Sequence, residues 1–381
     1  MNNEDLAART LARDALARIE TDNAYANLVV PSMLDRSQLS GRDRRFVTEL
    51  VYGSTRMRRA IDAALAPHLQ RDIEPAVRTV LRLGTYQLLY AGVAPHAAVS
   101  TTVTLAPKRA QGFVNAVMRR VSEAGASFAK DDATRLSYPD WIVQQLREDL
   151  GESDALGALD AMNQPSRPHV REDGYIQDPA SGWVAGLVDA EPGHRIADVC
   201  AAPGGKATAL GHLVGGDGLV VAADLRPGRV ALIADNTRST GTEAAVHAVV
   251  ADGRTPPLRP GAFDRVLIDA PCSGLGVLHR RPDARWRVEP TDVSELAAEG
   301  GRLLEASAPL VAPGGLLVYS VCTITAAETI GVGEWAVGHL EGFVALPAPG
   351  GPWRAHGDGA LLLPQVVGTD GMYVLRLRRS A

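Results

Sequence analysis

From residue 174 onward, short apolar runs alternate with stretches of helical periodicity. This alternation constrains the fold more than any other feature, because strands separated by helices pair in parallel and form a doubly wound α/β sheet. We predict strands over residues 195–199, 218–223, 245–250, 263–268 and 315–319, and helices over residues 180–188, 206–213, 228–239 and 294–306. Residues 371–378 alternate with period two and predict a late antiparallel strand. Side chains at the carboxyl ends of the parallel strands then line the crevice in which such sheets bind ligands.

All three cysteines of the chain lie in loops that directly follow predicted strands. Cys200 follows the first strand, Cys272 the fourth and Cys322 the fifth. A single buried cysteine is most often a small apolar residue, but two of them at strand ends, with Asp269 beside Cys272, indicate reactive thiols. Three cysteines cannot form a disulfide framework, and no spacing resembles a zinc site, so we predict no metal.

The first part of the chain is predicted to be helical. Amphipathic stretches occur over residues 6–19, 44–65, 75–90, 97–105 and 112–121. Five helices joined by short loops form a bundle. For a chain of 381 residues we therefore predict an all-helical domain over residues 1–128, a connector containing one helix over residues 129–175, and an α/β catalytic domain over residues 176–381.

Charge is distributed unevenly along the chain. The formal net charge is −5, but residues 1–130 carry 18 basic and 12 acidic residues, a balance of +6. This excess favours contact with a phosphate backbone, although a solvated helical surface explains it equally well. No apolar stretch approaches the roughly 20 residues of a membrane helix, and the acidic, polar residues 1–5 do not resemble a secretory signal. We predict a reduced, cytoplasmic monomer with no membrane partner.

A glycine-rich loop follows the first predicted strand and leads into a helix. Its residues are Cys200, Ala201, Ala202, Pro203, Gly204, Gly205 and Lys206. Small residues let a ligand approach the backbone, and the amino end of the following helix favours negative groups. A Walker loop would need glycine in place of Cys200 and Ser or Thr in place of Ala207, and the glycine spacing also differs from the dinucleotide fingerprint.

Acidic residues end three of the predicted strands. Asp224 follows the second strand and suits ribose hydroxyls, Asp252 follows the third and is placed to meet an adenine amino group, and Asp269 follows the fourth. Each aspartate taken singly is as easily a helix cap. Together with the glycine-rich loop, they predict a nucleoside site.

Three motifs carry a resemblance to one family. The segments CAAPGGK (200–206), DAPCSG (269–274) and YSVC (319–322) are similar to those of the RNA cytosine-5 methyltransferases of the Sun/RsmB type. The helical first domain resembles the NusB-like RNA-binding domain of that family, and residues 112–119 look like its closing helix. The resemblance implies a Rossmann-like catalytic domain that binds S-adenosylmethionine and acts on a cytidine of small-subunit ribosomal RNA.

The resemblance also implies roles for individual residues. The residues implied to contact S-adenosylmethionine are 200–206, Asp224, Arg229, Asp252 and Asp269. The family comparison makes Cys322 the nucleophile, whereas DNA cytosine-5 enzymes attack with a Pro-Cys cysteine, which here would be Cys272. From the residues alone, the order of the two thiols stays open.

Methylation at carbon 5 of cytosine requires an activated ring. A thiolate that adds to carbon 6 makes carbon 5 nucleophilic, and Asp269 could hydrogen-bond the ring near nitrogen 3 and its amino group. Cys272 is placed to assist loss of the carbon 5 proton and release of the first thiol. The base must leave its stack to reach the pocket. The arginines that could hold the flanking phosphates, or else form a solvated loop face, are Arg280, Arg281, Arg285 and Arg287.

The chain departs from the family pattern in three places. Val321 stands where the family usually has Thr, and Glu328-Thr329 replaces a more usual Glu-Asn-Glu run. Between residues 165 and 177, a short bridge replaces a strand-bearing subdomain that helps to form the RNA groove. Two alternatives therefore stay open: a methyltransferase that acts on another RNA or a small molecule, and a catalytically silent RNA-binding or assembly factor.

Overall fold

The computed structural model describes residues 3–22, 24–70, 72–125 and 131–381. The chain divides into two compact units. The first comprises Met1–Gln144 together with Leu278–Arg287, and the second comprises Gln145–Val277 together with Val288–Ala381. Residues 278–287 were expected in the catalytic domain, but they belong to the first unit.

The first unit is helical. Its helices are α1 (Asn3–Thr21), α2 (Ala26–Asp35), α3 (Gly41–Arg56), α4 (Arg58–Leu65), α5 (Pro75–Leu89), α6 (Pro95–Leu105), α7 (Gln111–Ala124) and α8 (Asp132–Leu136), and α9 (Asp140–Leu150) leads into the second unit. Their apolar faces meet in one core, to which Leu16, Leu50 and Met118 contribute. The stretch 44–65, predicted as one helix, is two, because Met57 adopts a non-helical ψ of 16° between them. Helix α2 was not predicted, since it contains Pro31, which normally marks a break.

Residues 278–287 are held in the first unit by buried arginine and tryptophan contacts. Arg285 is fully buried, its guanidinium lies 3.9 Å from the ring centroid of Tyr138, and it donates to Ser137 O at 3.2 Å. Trp286 Nε1 donates to Thr55 O at 2.7 Å. Arg285 is therefore a structural residue, and the expectation that it holds a phosphate is wrong, because its charge is sequestered in the protein interior.

Arg287 is also engaged within the first unit. Its guanidinium stacks over Tyr25 at 4.4 Å and donates to Ala24 O. Arg280 and Arg281 are exposed. Of the four arginines considered for phosphate contact, these two keep a surface position.

The second unit is built on a nine-stranded sheet. The strands are β1 (Arg195–Asp198), β2 (Leu219–Asp224), β3 (Val246–Val250), β4 (Phe263–Asp269), β5 (Val311–Val321), β6 (Phe343–Ala345), β7 (Arg354–His356), β8 (Gly359–Leu362) and β9 (Met372–Arg379). The order is β3-β2-β1-β4-β5-β9-β8-β7, with β6 also paired to β9. Strands β1 to β5 are parallel, and β9 is antiparallel to β5, as its period-two pattern predicts. The α/β doubly wound fold class is confirmed.

Helices connect the strands and cover the sheet. They are α10 (Glu152–Ala161), α11 (Pro179–Leu187), α12 (Gly205–Val214), α13 (Pro227–Thr240), α14 (Pro290–Ser307), α15 (Val332–His339) and α16 (Pro364–Val367). The central strands β1, β4 and β5 are apolar and almost wholly buried, as is typical of parallel strands covered on both faces. Register pairs Asp198 with Leu267 and Asp269 with Ser320, so neighbouring strands end at nearly the same level.

A search for membrane-spanning segments is negative within the described ranges. None of their helices has both the length and the apolar character that crossing a bilayer requires.

Candidate active site

The predicted cofactor loop closes tightly onto the end of β1. Gly204 adopts φ = 109°, a left-handed conformation that side chains disfavour, and a Cβ there would lie 3.3 Å from Ile233 Cα. Ala201 N donates to Ala223 O at 2.8 Å, which ties the loop to β2. Gly205 begins α12. The loop residues Ala201, Ala202, Gly204, Gly205 and Lys206 are buried, whereas Pro203 is exposed.

Asp198 lies at the base of this loop, buried from solvent. It is fully buried, and neither carboxylate oxygen has a hydrogen bond of normal geometry to the described residues. Burial, together with the negative charge of Asp269, raises its pKa to about 8, against a smaller opposing effect of Lys206 and the Cys200 N–H. Burial and the nearby Asp198, Asp269 and Asp224 also raise the pKa of Cys200. The site therefore favours a cationic ligand, and Cys200 remains a thiol at neutral pH.

Arg229 joins Asp224 to the loop. Asp224, which is buried at the end of β2, accepts a hydrogen bond from Arg226 N at 3.1 Å and pairs with Arg229 Nη1 at 3.4 Å. Arg229 Nη2 donates to Ala202 O at 2.7 Å. Arg229 thus holds both Asp224, the acid expected to meet the ribose, and the backbone of the glycine-rich loop at Ala202.

Asp252 has a different environment from the other two strand-end acids. Its carboxylate is engaged by Arg254, whose Nη2 lies 2.7 Å from Oδ2 and whose backbone N donates to Oδ1 at 2.9 Å. The side-chain hydrogen bond from Arg254 is the main cause that lowers the pKa of Asp252 to about 2. Asp252 is thus ionised at neutral pH and already neutralised by an arginine.

Asp269 ends β4 and binds two donors. Lys206 Nζ donates to Asp269 Oδ2 at 2.6 Å, and Ser320 Oγ donates to Oδ1 at 2.8 Å. Burial alone would lower the pKa of Lys206, but Asp269 and the negative charge available at Cys322 raise it overall. Lys206 is therefore a buried ammonium that stabilises negative charge on Asp269 and on Cys322.

Cys272 and Cys322, the two thiols predicted to be reactive, lie within hydrogen-bond distance of each other. Cys272 Sγ lies 3.3 Å from Cys322 Sγ, and both cysteines are free. The hydrogen bond with Cys322, then burial, and then the charges of Cys322 and Glu328 raise the pKa of Cys272 well above its ordinary value. Cys272 is therefore protonated at neutral pH and is able to donate to Cys322.

A glycine close to these thiols admits no side chain. Gly276 N donates to Cys322 O at 3.1 Å, and a Cβ at Gly276 would lie 2.2 Å from Gly371 O. The loop after β4 can therefore approach the segment that precedes β9 only because residue 276 is glycine, and a Cβ there would also crowd Cys322 O at 3.0 Å.

Comparison with known proteins now identifies the family. The model of the family described as "16S rRNA methyltransferase RsmB/F" matches residues 185–378, and the NusB family model matches residues 6–123. The chain belongs to the RsmB/F methyltransferase family. Members use S-adenosylmethionine as cofactor, and the strand ends that carry Asp224, Asp269 and the buried Asp198, which has no hydrogen-bond partner among the described residues, fit that cation.

Similar proteins span essentially the whole chain. A putative methyltransferase of Mycobacterium tuberculosis is 36% identical over 98% of this chain and 96% of its own length. The ribosomal RNA small subunit methyltransferase B of Thermus thermophilus is 34% identical over 97% of each chain. The crystal structure of PH0851 superposes with a TM-score of 0.80 at 19% identity, over 98% of this chain and 99% of that one, which supports the fold.

The segment expected to replace a longer family subdomain, residues 165–177, includes a small β-bridge. The alignment with the Mycobacterium tuberculosis protein runs over 450 positions, more than the 381 residues of this chain, so that RsmB/F relative carries insertions. In this chain Val170 and Ile176 form an isolated antiparallel bridge. Arg171 Nη1 donates to Gly205 O at 2.6 Å, and its Nη2 donates to Thr208 Oγ1 at 3.1 Å. Arg171 therefore holds this segment against the first turn of α12.

Two further positions were noted as departures from the family pattern. Val321 is fully buried and pairs with Tyr373 across β5 and β9, so the position normally occupied by Thr is here part of the apolar core. Glu328, which was not predicted as a site residue, is buried and bonded to residues next to both thiols. Its sequence signal was weak, because an acid on an otherwise small and apolar segment resembles a surface residue.

Proposed function

We propose that this RsmB/F-family enzyme methylates carbon 5 of a cytidine in small-subunit ribosomal RNA, through a covalent adduct with Cys322. The observation that carries the proposal is the 3.3 Å approach of Cys272 Sγ and Cys322 Sγ beside the Lys206–Asp269 pair. The names of several relatives, including the Thermus thermophilus enzyme, support ribosomal RNA as the substrate class.

The electrostatics favour unequal roles for the two thiols. Lys206 is a buried ammonium whose pKa is raised in part by negative charge at Cys322, so it favours the Cys322 thiolate. Cys272 is held as a thiol and can donate its proton toward Cys322. A thiolate is the nucleophilic form of cysteine. Cys322 is therefore assigned as the attacking residue and Cys272 as the residue that assists release.

The residues act in sequence. The Cys322 thiolate forms a bond to carbon 6, and the electron pair of the 5,6 double bond moves into the ring as nitrogen 3 takes up a proton from water. Asp269 accepts hydrogen bonds from the protonated nitrogen 3 and from the amino group, which stabilises this form of the ring. Bound S-adenosylmethionine would supply the methyl group to carbon 5, with the S–CH3 bond breaking and the neutral thioether, S-adenosylhomocysteine, leaving. The carbon 5 proton then leaves to a water beside Cys272, nitrogen 3 gives up its proton, the 5,6 double bond re-forms, and Cys322 departs as a thiolate that accepts a hydrogen bond from the Cys272 thiol.

The proposed cofactor contacts follow the sequence prediction. Residues 200–206, Asp224, Arg229 and Asp252 would hold S-adenosylmethionine, and Asp269 would lie between the cofactor and the base. The pairing of Arg229 with both Asp224 and Ala202 supports a preformed cofactor loop.

The test is transfer of labelled methyl groups. Purified protein is incubated with methyl-labelled S-adenosylmethionine and, separately, with 16S ribosomal RNA and with total small RNA, and nucleosides are then separated after digestion. Label in 5-methylcytidine from the ribosomal RNA is expected. Label in another nucleoside would refute the cytosine assignment, label confined to small RNA would refute the substrate class, and RNA binding without any transfer would favour an assembly factor.

A further inference from the structure

The Glu328 carboxylate gathers donors from two separate loops. It is only 1% exposed. Its Oε1 accepts a hydrogen bond from Ser273 N at 2.7 Å, and its Oε2 accepts from Ser273 Oγ at 2.6 Å, Thr325 Oγ1 at 2.7 Å and Thr323 Oγ1 at 3.1 Å. Charge-assisted hydrogen bonds of this kind are about twice as strong as neutral ones. Both oxygens of the Glu328 carboxylate therefore accept hydrogen bonds, one at Oε1 and three at Oε2.

Two of these donors are the immediate chain neighbours of the thiols. Ser273 follows Cys272 in the loop after β4, and Thr323 follows Cys322 in the loop after β5. The hydroxyls of Ser273 and Thr323 also lie 2.9 Å from each other. Because each bond constrains a residue one peptide away from a cysteine, the carboxylate fixes how closely the two sulfur atoms approach.

The segment that carries Glu328 is itself held in place. Residues Ala327–Gly331 form a single turn of π-helix, a geometry that is found frequently at functional sites. Tyr319 Oη donates to Glu328 O at 3.0 Å, and Ala326 N donates to Asp149 Oδ2 at 2.9 Å. Glu328 is therefore an anchored side chain rather than one that adapts to its neighbours.

We propose that Glu328 is a positioning residue that sets the separation and the orientation of Cys272 and Cys322. The inference rests on the proposed function in that it assigns both thiols to the reaction. Glu328 does not touch the reacting atoms; it acts through Ser273 and Thr323 on geometry, and through its negative charge on Cys272. Loss of the carboxylate charge is expected to make Cys272 easier to ionise, which removes the difference between the two thiols.

The experiment compares three variants of the full chain with the wild type. Glu328→Gln keeps the side-chain size and removes the charge, and Thr325→Val removes one donor that is not adjacent in sequence to either cysteine. Glu334→Gln is the control, because Glu334 is exposed on the neighbouring helix α15. Each protein is alkylated with iodoacetamide between pH 6 and pH 10, and the labelling rate of each cysteine is measured by peptide mass spectrometry. kcat and KM for S-adenosylmethionine are measured alongside, with thermal unfolding as the check on folding.

In Glu328→Gln, Cys272 is expected to label about tenfold faster at neutral pH, since the thiolate is the reacting form. kcat is expected to fall roughly 100-fold with KM for S-adenosylmethionine nearly unchanged, as for small misplacements of reacting groups. Thr325→Val is expected to lower kcat by about tenfold on the same reasoning. Glu334→Gln is expected to match the wild type.

Unchanged pH profiles for both cysteines, with unchanged kcat, in folded Glu328→Gln would overturn the proposal. If Glu328→Gln does not fold, Thr325→Val decides, and a wild-type kcat in that variant would have the same consequence. If the wild-type protein methylates no RNA, the proposed function fails, but the alkylation profiles still decide whether Glu328 controls the two thiols.

Discussion

Lys206 Nζ lies 2.6 Å from Asp269 Oδ2, which joins the last residue of the cofactor loop to the acid at the end of β4. The side chain of Lys206 is 8% exposed and that of Asp269 is 32% exposed, so the ammonium is more completely removed from solvent than the carboxylate. The ammonium is the positive charge that balances several carboxylates around the loop. This relationship joins the loop proposed to bind the cofactor to the acid proposed to hold the base, and it can be tested directly.

Replacing Lys206 by Met is expected to lower the free energy of unfolding by about 2 kcal/mol, because it leaves Asp269 without its buried partner. Urea denaturation measures the change. The control is Arg302→Met, which breaks the exposed Arg302–Glu299 pair and is expected to cost about 0.5 kcal/mol or less. Equal costs for the two variants would show that burial of the Lys206–Asp269 pair has no energetic consequence.

The two thiols are expected to respond differently to removal. Cys322→Ala is expected to abolish turnover, because no other thiolate is stabilised by Lys206. Cys272→Ala is expected to accumulate a protein–RNA adduct, because attack still occurs but release is impaired. Denaturing gel electrophoresis with labelled RNA detects the adduct. An adduct trapped by Cys322→Ala instead would reverse the assignment of the two roles.

Arg285 offers a test of the first unit. Arg285→Lys keeps the charge but loses planar stacking on Tyr138 and the forked donors to Arg56 O and Ser137 O. We expect a loss of about 3 kcal/mol in the free energy of unfolding, the range for a broken buried charge network. Arg281→Lys, at an exposed position of the same segment, is the control. A wild-type melting curve for Arg285→Lys would contradict the structural role.

The pKa of Asp198 predicts a pH dependence of stability. Burial raises it to about 8 in the folded protein, whereas the unfolded chain has the ordinary value near 3.8. Between these values the folded state binds the extra proton, so this group makes stability fall as pH rises, by up to about 1.4 kcal/mol per pH unit. Below pH 3.8 both states are protonated, and the contribution is absent.

Asp198→Asn is expected to remove that slope, so its stability relative to wild type rises between pH 5 and about pH 8. Chemical denaturation at several pH values measures the difference. Asp217→Asn, at an exposed position, is the control. A difference between Asp198→Asn and wild type that does not vary with pH would show that Asp198 ionises normally in the folded protein.

Local sequence patterns were sufficient for the sheet and for the approach of Cys272 to Cys322. The apolar runs that became β1, β4 and β5 are buried on both faces, and a strand of that kind is recognisable without its neighbours. Residues that directly follow such strands must then lie at one edge of the sheet. For this reason Asp269, Cys272 and Cys322 could be grouped before any coordinates were known.

Other features depend on contacts between residues far apart in sequence. Arg285 reads as a surface arginine in a basic loop, yet it is buried against Tyr138, 147 positions earlier in the chain. Helix α2 contains a proline, and tertiary packing of Val29, Val30 and Leu34 overrides that local signal. Periodicity describes one element at a time and cannot report which elements pack together.

By itself the sequence determined the succession of strands and helices in the second unit and the placement of the glycine-rich loop, Cys272 and Cys322 at strand ends, because each depends on residues close together in sequence. Only the tertiary structure decided that Glu328 binds Ser273 and Thr323 together, and that residues 278–287 join the helical unit. The physical reason is that a buried carboxylate or guanidinium is stable only where several distant donors or acceptors converge on it. That convergence is a property of the folded chain.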